Sequence, residues 1–209
     1  MKNLFTIFFS PESTFQRLKS SKIAWLIGML VLMILSFLAI HLQMPVWEQA
    51  MLEALKSNAQ IPPESYDSLI SSNRIGAYLS SPIYSIIMIF IIGLLLLLLN
   101  LIVRGEGKYM QFVTIAAFAA LPGMVGAILT GILINVMDAK AATDVTISLA
   151  VLLPDKSGML FKAMSLINPF SIWTLALYII GSSVMMNVTK KKVAAWIIIA
   201  WAIGGFLLG

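Results

Sequence analysis

The sequence predicts an all-α, polytopic integral membrane protein with five transmembrane helices, and three observations carry that prediction. Of its 209 residues 60% are hydrophobic and only 11% are charged, against about a quarter charged in ordinary soluble domains. Five apolar stretches, residues 23–42, 83–103, 112–136, 169–188 and 193–208, carry no Asp, Glu, Lys or Arg. At about 1.5 Å per residue the first four are long enough for a hydrocarbon core of roughly 30 Å, and the fifth is at the lower limit. The basic residues, finally, gather in the short connections on one side. Lys2, Arg17, Lys19, Lys22, Arg104, Lys108 and Lys190 to Lys192 fall there; Lys56, Arg74, Lys140, Lys156 and Lys162 fall on the other. Two of the nine acidic residues lie on the first side and seven on the second. The excess of Lys and Arg marks the cytoplasmic face, so the N-terminus is expected inside and the C-terminus outside, in the cell membrane.

The chain divides into a cytoplasmic segment, residues 1–22, and a five-helix domain, residues 23–209. In the first segment the apolar run of residues 4–9 is too short for a signal peptide and is followed by no small-residue cleavage site. Ser10, Pro11 and Glu12 read as an N-cap, a first-turn proline and a carboxylate at the positive end of a helix. Phe15 and Leu18 share a face of that helix. With Phe5, Phe8 and Phe9 they predict an interfacial helix lying on the cytoplasmic leaflet, where Arg17, Lys19 and Lys22 meet anionic lipid or a partner.

Residues 23–42 form the first span, with Trp25 as an interfacial belt residue. A long polar connection follows, residues 43–81. Val46, Trp47, Ala50, Met51, Ala54 and Leu55 keep helical spacing there and predict a separate amphipathic helix. Pro62 and Pro63 end it, Tyr66, Leu69 and Ile70 predict a second short helix, and the chain re-enters the membrane at Pro82. Residues 83–103 are the most lipid-like span, with an unbroken leucine run at 94–99. The tight loop RGEGKYM leads into the third span; its Gly105-Glu106-Gly107 lacks the strand and the further glycines of a phosphate cradle.

The third span, FVTIAAFAALPGMVGAILTGILINV, organises the rest. Ala119, Gly123, Ala127 and Gly131 recur every fourth residue and line one side of a helix as a strip of small side chains. Such a strip lets a neighbouring helix come close, and in lipid that dispersion contact replaces the missing hydrophobic drive. On this reading Gly123→Leu is more harmful than Gly93→Leu in the second span. Pro122 removes a backbone donor and predicts a bend at Leu121-Pro122-Gly123. The strip and bend are a packing seam with a kink, or a hinge beside a substrate path. Residues 137–162 leave the membrane. Within them 145–153 predict a surface or re-entrant helix ended by Pro154, and residues 156–165 a short amphipathic connection. Asn168-Pro169-Phe170 opens the fourth span, and Lys190, Lys191 and Lys192 fix a short turn before the fifth.

Groups able to do chemistry are few. The chain has no cysteine, which removes disulfides, thiol nucleophiles and cysteine metal sites together. His41 sits alone at the outer end of the first span, Glu48 with Glu53 and Glu64 with Asp67 read as solvated faces, and no catalytic or metal motif is present. No catalytic, cofactor-binding or metal-binding residue is assigned, and no cofactor. The spans hold none of the ionisable side chains that proton- or ion-coupled carriers keep at membrane depth. Asn135, Asn168 and Asn187 bond neighbouring helices, or else line a wet pocket. The net charge of +5 points to an anionic membrane surface and not to nucleic acid.

Three segments carry a family resemblance: FFSPESTFQRLK at the start, GEGKYMQFVTIAAFAALPGMVG across the glycine loop and the span-three proline, and NPFSIWTLALYIIG followed by KKKVAAWIIIAWAIGG. Together they resemble the Yip-domain membrane proteins, named after Ypt-interacting protein one, over most of the chain. The resemblance implies five membrane helices with a cytoplasmic N-terminus and supplies no catalytic residues. Eukaryotic members bind small GTPases and shape vesicle traffic. This chain is more similar to compact bacterial members, among which YknW-type proteins accompany ABC exporters. The expected function is therefore a non-enzymatic protein that binds or scaffolds other membrane proteins or itself, with an ABC exporter as one partner; the alternative is a small transporter or lipid-handling protein.

Overall fold

The computed structural model describes residues 2–141, 144–155 and 158–208, with side chains to residue 205, and among these the chain is helical with no strand. Lys156 lies outside the described residues. Two long helices frame the molecule, α3 (Ala24–Ser57) and α4 (Tyr66–Ile102), of 34 and 37 residues. They pair antiparallel, the Tyr78 ring lying 5.0 Å from that of Phe37 and its hydroxyl 2.7 Å from Nδ1 of His41. Further out, the Tyr66 hydroxyl donates to the Leu55 carbonyl and Arg74 pairs with Glu48. Hydrogen bonding to Glu48, then its charge, raises the Arg74 pKa above its ordinary value. At about 1.5 Å per residue each helix exceeds 50 Å, so about 20 Å of hairpin stands beyond a core of roughly 30 Å.

This corrects the expectation of a span, a separate amphipathic helix, a short second helix and re-entry at Pro82. Pro45 and Pro82 both lie inside continuous helices; α3 ends at Ser57, before the Pro62-Pro63 step expected to end it, and that step instead opens a 3-10 turn leading into α4. A proline breaks a helix by freeing carbonyls in the preceding turn, and neighbouring groups can take those up. Beside Pro45, Asn135 donates to the Leu42 carbonyl at 2.6 Å and to that of Gly131 at 2.7 Å, which ties α6 to the turn before the proline.

The expected break in the third span is present. α5 (Tyr109–Ala119) stops and α6 (Leu121–Val136) starts around Ala120, with Pro122 in the first turn of α6. α5 is the centre of the bundle: residues 112–119 are all buried. It packs on α3, on α4 and on α8 (Pro169–Met186), whereas α6 turns away to lie along α3 and α8. Asn168 caps α8, its Oδ1 accepting from the Ser171 amide at 2.8 Å. Asn168→Ala should therefore lower stability by about 1 kcal/mol, the usual worth of such a cap, read as a thermal shift in detergent.

Among the described residues four stretches are long and apolar enough to cross a membrane: Ala24–Ser57, Pro63–Ile102, Tyr109–Val136 and Pro169–Met186. The last helix, α9 (Lys190–Leu208), spends its first turn on Lys190 to Lys192, so those residues open a helix instead of forming the turn expected of them. The turn is the Asn187-Val188-Thr189 step. Between α6 and α8 the expected helix over 145–153 shrinks to a 3-10 turn, Leu149–Leu152, and α7 (Gly158–Leu166) follows. The β-branched run Val145-Thr146-Ile147 weakens helix there. Ser148 starts the turn by accepting from the Ala150 amide at 3.2 Å, and Val145 packs on Val46 and Ile134.

The N-terminal segment is two helices, α1 (Lys2–Phe9) and α2 (Pro11–Lys19). Their predicted membrane-facing stripe divides: Phe15 and Leu18 join the main core, together with Ile7, whereas Phe8 is half-buried and Phe5 and Phe9 stay exposed. Phe15 lies on Gly181 of α8, where an added Cβ would come 2.9 Å from its Cζ. An apolar stripe of this kind is satisfied equally by lipid or by a helix face, and here α8 and α5 supply the face.

Candidate functional site

The elements that carry most of the basic residues meet at one end of the bundle. At the end of α4, Arg104 adopts a left-handed conformation (φ 53). The Gly105 amide bonds back to the Asn100 carbonyl at 2.8 Å and the Arg104 amide to Leu101 at 3.2 Å, a Schellman closure. The buried Asn100 side chain then accepts from the Gly107 amide at 3.2 Å. The end of α8 closes alike: Asn187 is left-handed (φ 57) and the Val188 amide returns to Ser183 at 3.1 Å. Asparagine tolerates this backbone better than most residues.

The two closures interlock. The Glu106 amide donates to the Met186 carbonyl at 3.0 Å, and Asn187 Nδ2 donates to the Glu106 carboxylate at 3.1 Å. Gly105 and Gly107 are needed because Met186 and Phe112 occupy the space a side chain would take. The loop that holds no phosphate motif is thus a connector between α4, α5 and α8. The neighbouring helices join the same network. Gln111 donates to the Lys19 carbonyl at 2.9 Å, Lys19 Nζ to the Val184 carbonyl at 2.8 Å, and Lys192 Nζ to the Val103 carbonyl at 2.6 Å. Lys190 pairs with Glu12 at 2.6 Å, and Arg17 bridges Thr6 and Thr14, tying α1 to α2.

Of the six basic residues singled out for lipid or partner contact, four are thus engaged by the fold: Arg17, Lys19, Lys190 and Lys192. Lys22 and Lys191 are exposed and make no side-chain hydrogen bond among the described residues, and Arg104 and Lys108 join them in that condition. The last two counted toward the predicted orientation but not toward the predicted site. Their signal was the shortness of the loop, which sets any side chain there against the α8 turn. A groove of about 630 Å3 opens between α2, the end of α8 and the start of α9, lined by Glu12, Gln16, Lys19, Asn187, Thr189 and Lys192 among others. It carries both signs of charge and several amide and hydroxyl groups.

The predicted helix strip is only partly a seam. Ala119 and Gly131 are buried and Ala127 is half-buried, its carbonyl accepting from Gln43 at 3.1 Å. Gly131 meets Leu42, an added Cβ falling 2.6 Å from the Leu42 Cβ. Gly123 is exposed, with nothing nearer to an added Cβ than Thr174 Oγ1 at 3.7 Å. The break around Ala120 rotates α6, so fourth-residue spacing does not carry one face through it. The close contacts instead use Gly126, against Phe170, and Gly93, against Val113. Asn135 and Asn168 serve the hairpin end and Asn187 the basic end.

Among the described residues no three His, Cys, Asp or Glu side chains come together as a metal-binding group. Comparison with curated proteins and with solved structures found no match. The sequence pattern of the Yip1 domain matches residues 5–209. Apolar, helical and matched over nearly all its length, the chain is a membrane protein that belongs to the Yip1 domain family.

Proposed function

We propose that this protein is a non-enzymatic multi-pass scaffold that binds other membrane proteins through its basic end, with the N-terminus cytoplasmic and α9 as a fifth span in the plasma membrane. The observation that carries the reading is the interlocked α4–α5 loop and α8–α9 turn. A network of cross-element hydrogen bonds holds the groove of about 630 Å3 in one shape, and Lys22, Arg104, Lys108 and Lys191, on the segments that meet at this end, are exposed and make no side-chain hydrogen bond among the described residues. A preformed polar groove at an end rich in exposed cations lowers the ordering cost of binding and steers an acidic segment toward it. The family resemblance makes an ABC exporter the first partner to test.

Affinity capture of the full chain from membranes in mild detergent should recover a second membrane protein. The charge reversals Lys22→Glu and Lys191→Glu should together reduce that recovery at least tenfold without moving the thermal transition. Recovery of this chain alone, as a monomer, would sink the scaffold reading, and undiminished recovery by the reversed variant would move the contact elsewhere.

A further inference from the structure

A second cavity, of about 350 Å3, lies inside the bundle between α3, α4, the α5–α6 break and α8, within the roughly 300 to 1,000 Å3 typical of ligand sites. The break creates it. α4 follows α5, but α6 leans toward α3 and α8, so α4 and α6 part above Ala120 and leave a space floored by α3. The small side chains of Ala39, Ala116, Ala120 and Ala127 do not fill it.

Its polarity is graded along the membrane normal. Gln43 and Ser81 stand at the hairpin end, Ser36 and Ser85 lower, and Leu32, Ile89 and Ile92 at the bottom. From Gln43 to Leu32, and from Ser81 to Ile92, is about 16 Å of helix. A volume of about 350 Å3 over that length leaves a cross-section of about 20 Å2. That is room for one hydrocarbon chain and far too little for a helix about 10 Å across. Tyr84, 61% exposed, stands at the mouth and opens it to the surrounding lipid. Gln43 gives one amide proton to the Ala127 carbonyl and keeps its second proton and its own oxygen for a polar group at that level.

We propose that this cavity binds one acyl chain of a phospholipid from the leaflet on the hairpin side, with the chain end toward Leu32 and Ile92 and the ester beside Gln43 and Ser81. The site does not depend on the scaffold reading, because it lies at the other end of the bundle from the basic groove. An empty apolar cleft beside fluid chains forfeits dispersion contacts that a single chain restores.

The full chain is reconstituted in phosphatidylethanolamine and phosphatidylglycerol vesicles holding a trace of phosphatidylcholine with a diazirine on its acyl chain. After illumination, adducts should concentrate on residues 32–43, 81–92 and 116–127, at least tenfold over the outward face of residues 94–102. Ser85→Phe and Met124→Trp, which fill the cavity, should each reduce the inner adducts at least tenfold and leave the outer ones unchanged, the latter also reporting that the variant has inserted. Adducts spread evenly around the wild-type bundle would overturn the proposal whatever the variants do. So would inner adducts that persist in both filled variants. Inner labelling by a diazirine fatty acid but not by the phospholipid would overturn the assignment to phospholipid.

Discussion

Gly93→Leu is expected to destabilise the protein by about 3 kcal/mol, at the upper end of the usual cost of overpacking a core, whereas Gly123→Leu stays within about 0.5 kcal/mol. A Cβ on Gly93 would come 2.9 Å from Val113 Cγ2, 3.2 Å from the Val113 amide nitrogen and 3.3 Å from its Cα. Two of those atoms are backbone, so no rotamer change relieves the contact and α4 must move off α5. Val113 is fully buried, and α5 also touches α2, α3, α6 and α8, so the movement spreads. Gly123 faces outward with an ordinary contact at 3.7 Å, and leucine there exchanges one apolar surface for another. Thermal unfolding of the two purified variants in one detergent decides the matter. Equal losses, or a larger loss at Gly123, would refute the close α4–α5 approach. The order is the reverse of the one the sequence pattern predicts.

Gly105→Ala should cost about 2 to 3 kcal/mol and loosen the basic end. Its new methyl would run into Asn100 Oδ1 and lie 2.8 Å from the Met186 Cβ and 3.1 Å from the Met186 carbonyl oxygen. That carbonyl is the acceptor for the Glu106 amide, so relieving the clash by moving the loop also breaks the bond that ties it to α8. Asn100→Ala removes one obstacle but leaves the half-buried Gly107 amide without its acceptor, at a cost of about 1 kcal/mol. Because both changes act on one contact, the double variant should lose clearly less than the sum of the two single losses, a coupling of about 1 kcal/mol. Strict additivity in a denaturation series would show that Asn100 and Gly105 do not meet. If the basic end binds partners as proposed, the Gly105→Ala variant also captures them less well at temperatures where it remains folded.

Much of this protein is legible in its residue order. Uncharged runs long enough to cross a bilayer, the break beside Pro122, the cap at Asn168 and the gathering of basic residues all follow from local rules. Each depends on a property of one residue or one short segment: the transfer cost of charge into hydrocarbon, a missing amide proton, a side chain reaching its own backbone.

Tertiary structure alone decided which apolar surface meets protein and which meets lipid. In water a buried face differs chemically from an exposed one, and periodicity reveals it. In a bilayer both faces are apolar, so nothing in the spacing of Gly93, Gly123 or Gly126 tells a seam from a lipid-facing groove. The same holds for Phe15, whose stripe suits a leaflet as well as it suits α8. The continuity of α3 and α4 through Pro45 and Pro82 was also beyond local rules. A proline's effect depends on what packs against the turn before it, and only the packed bundle brings a group such as Asn135 to the Leu42 carbonyl.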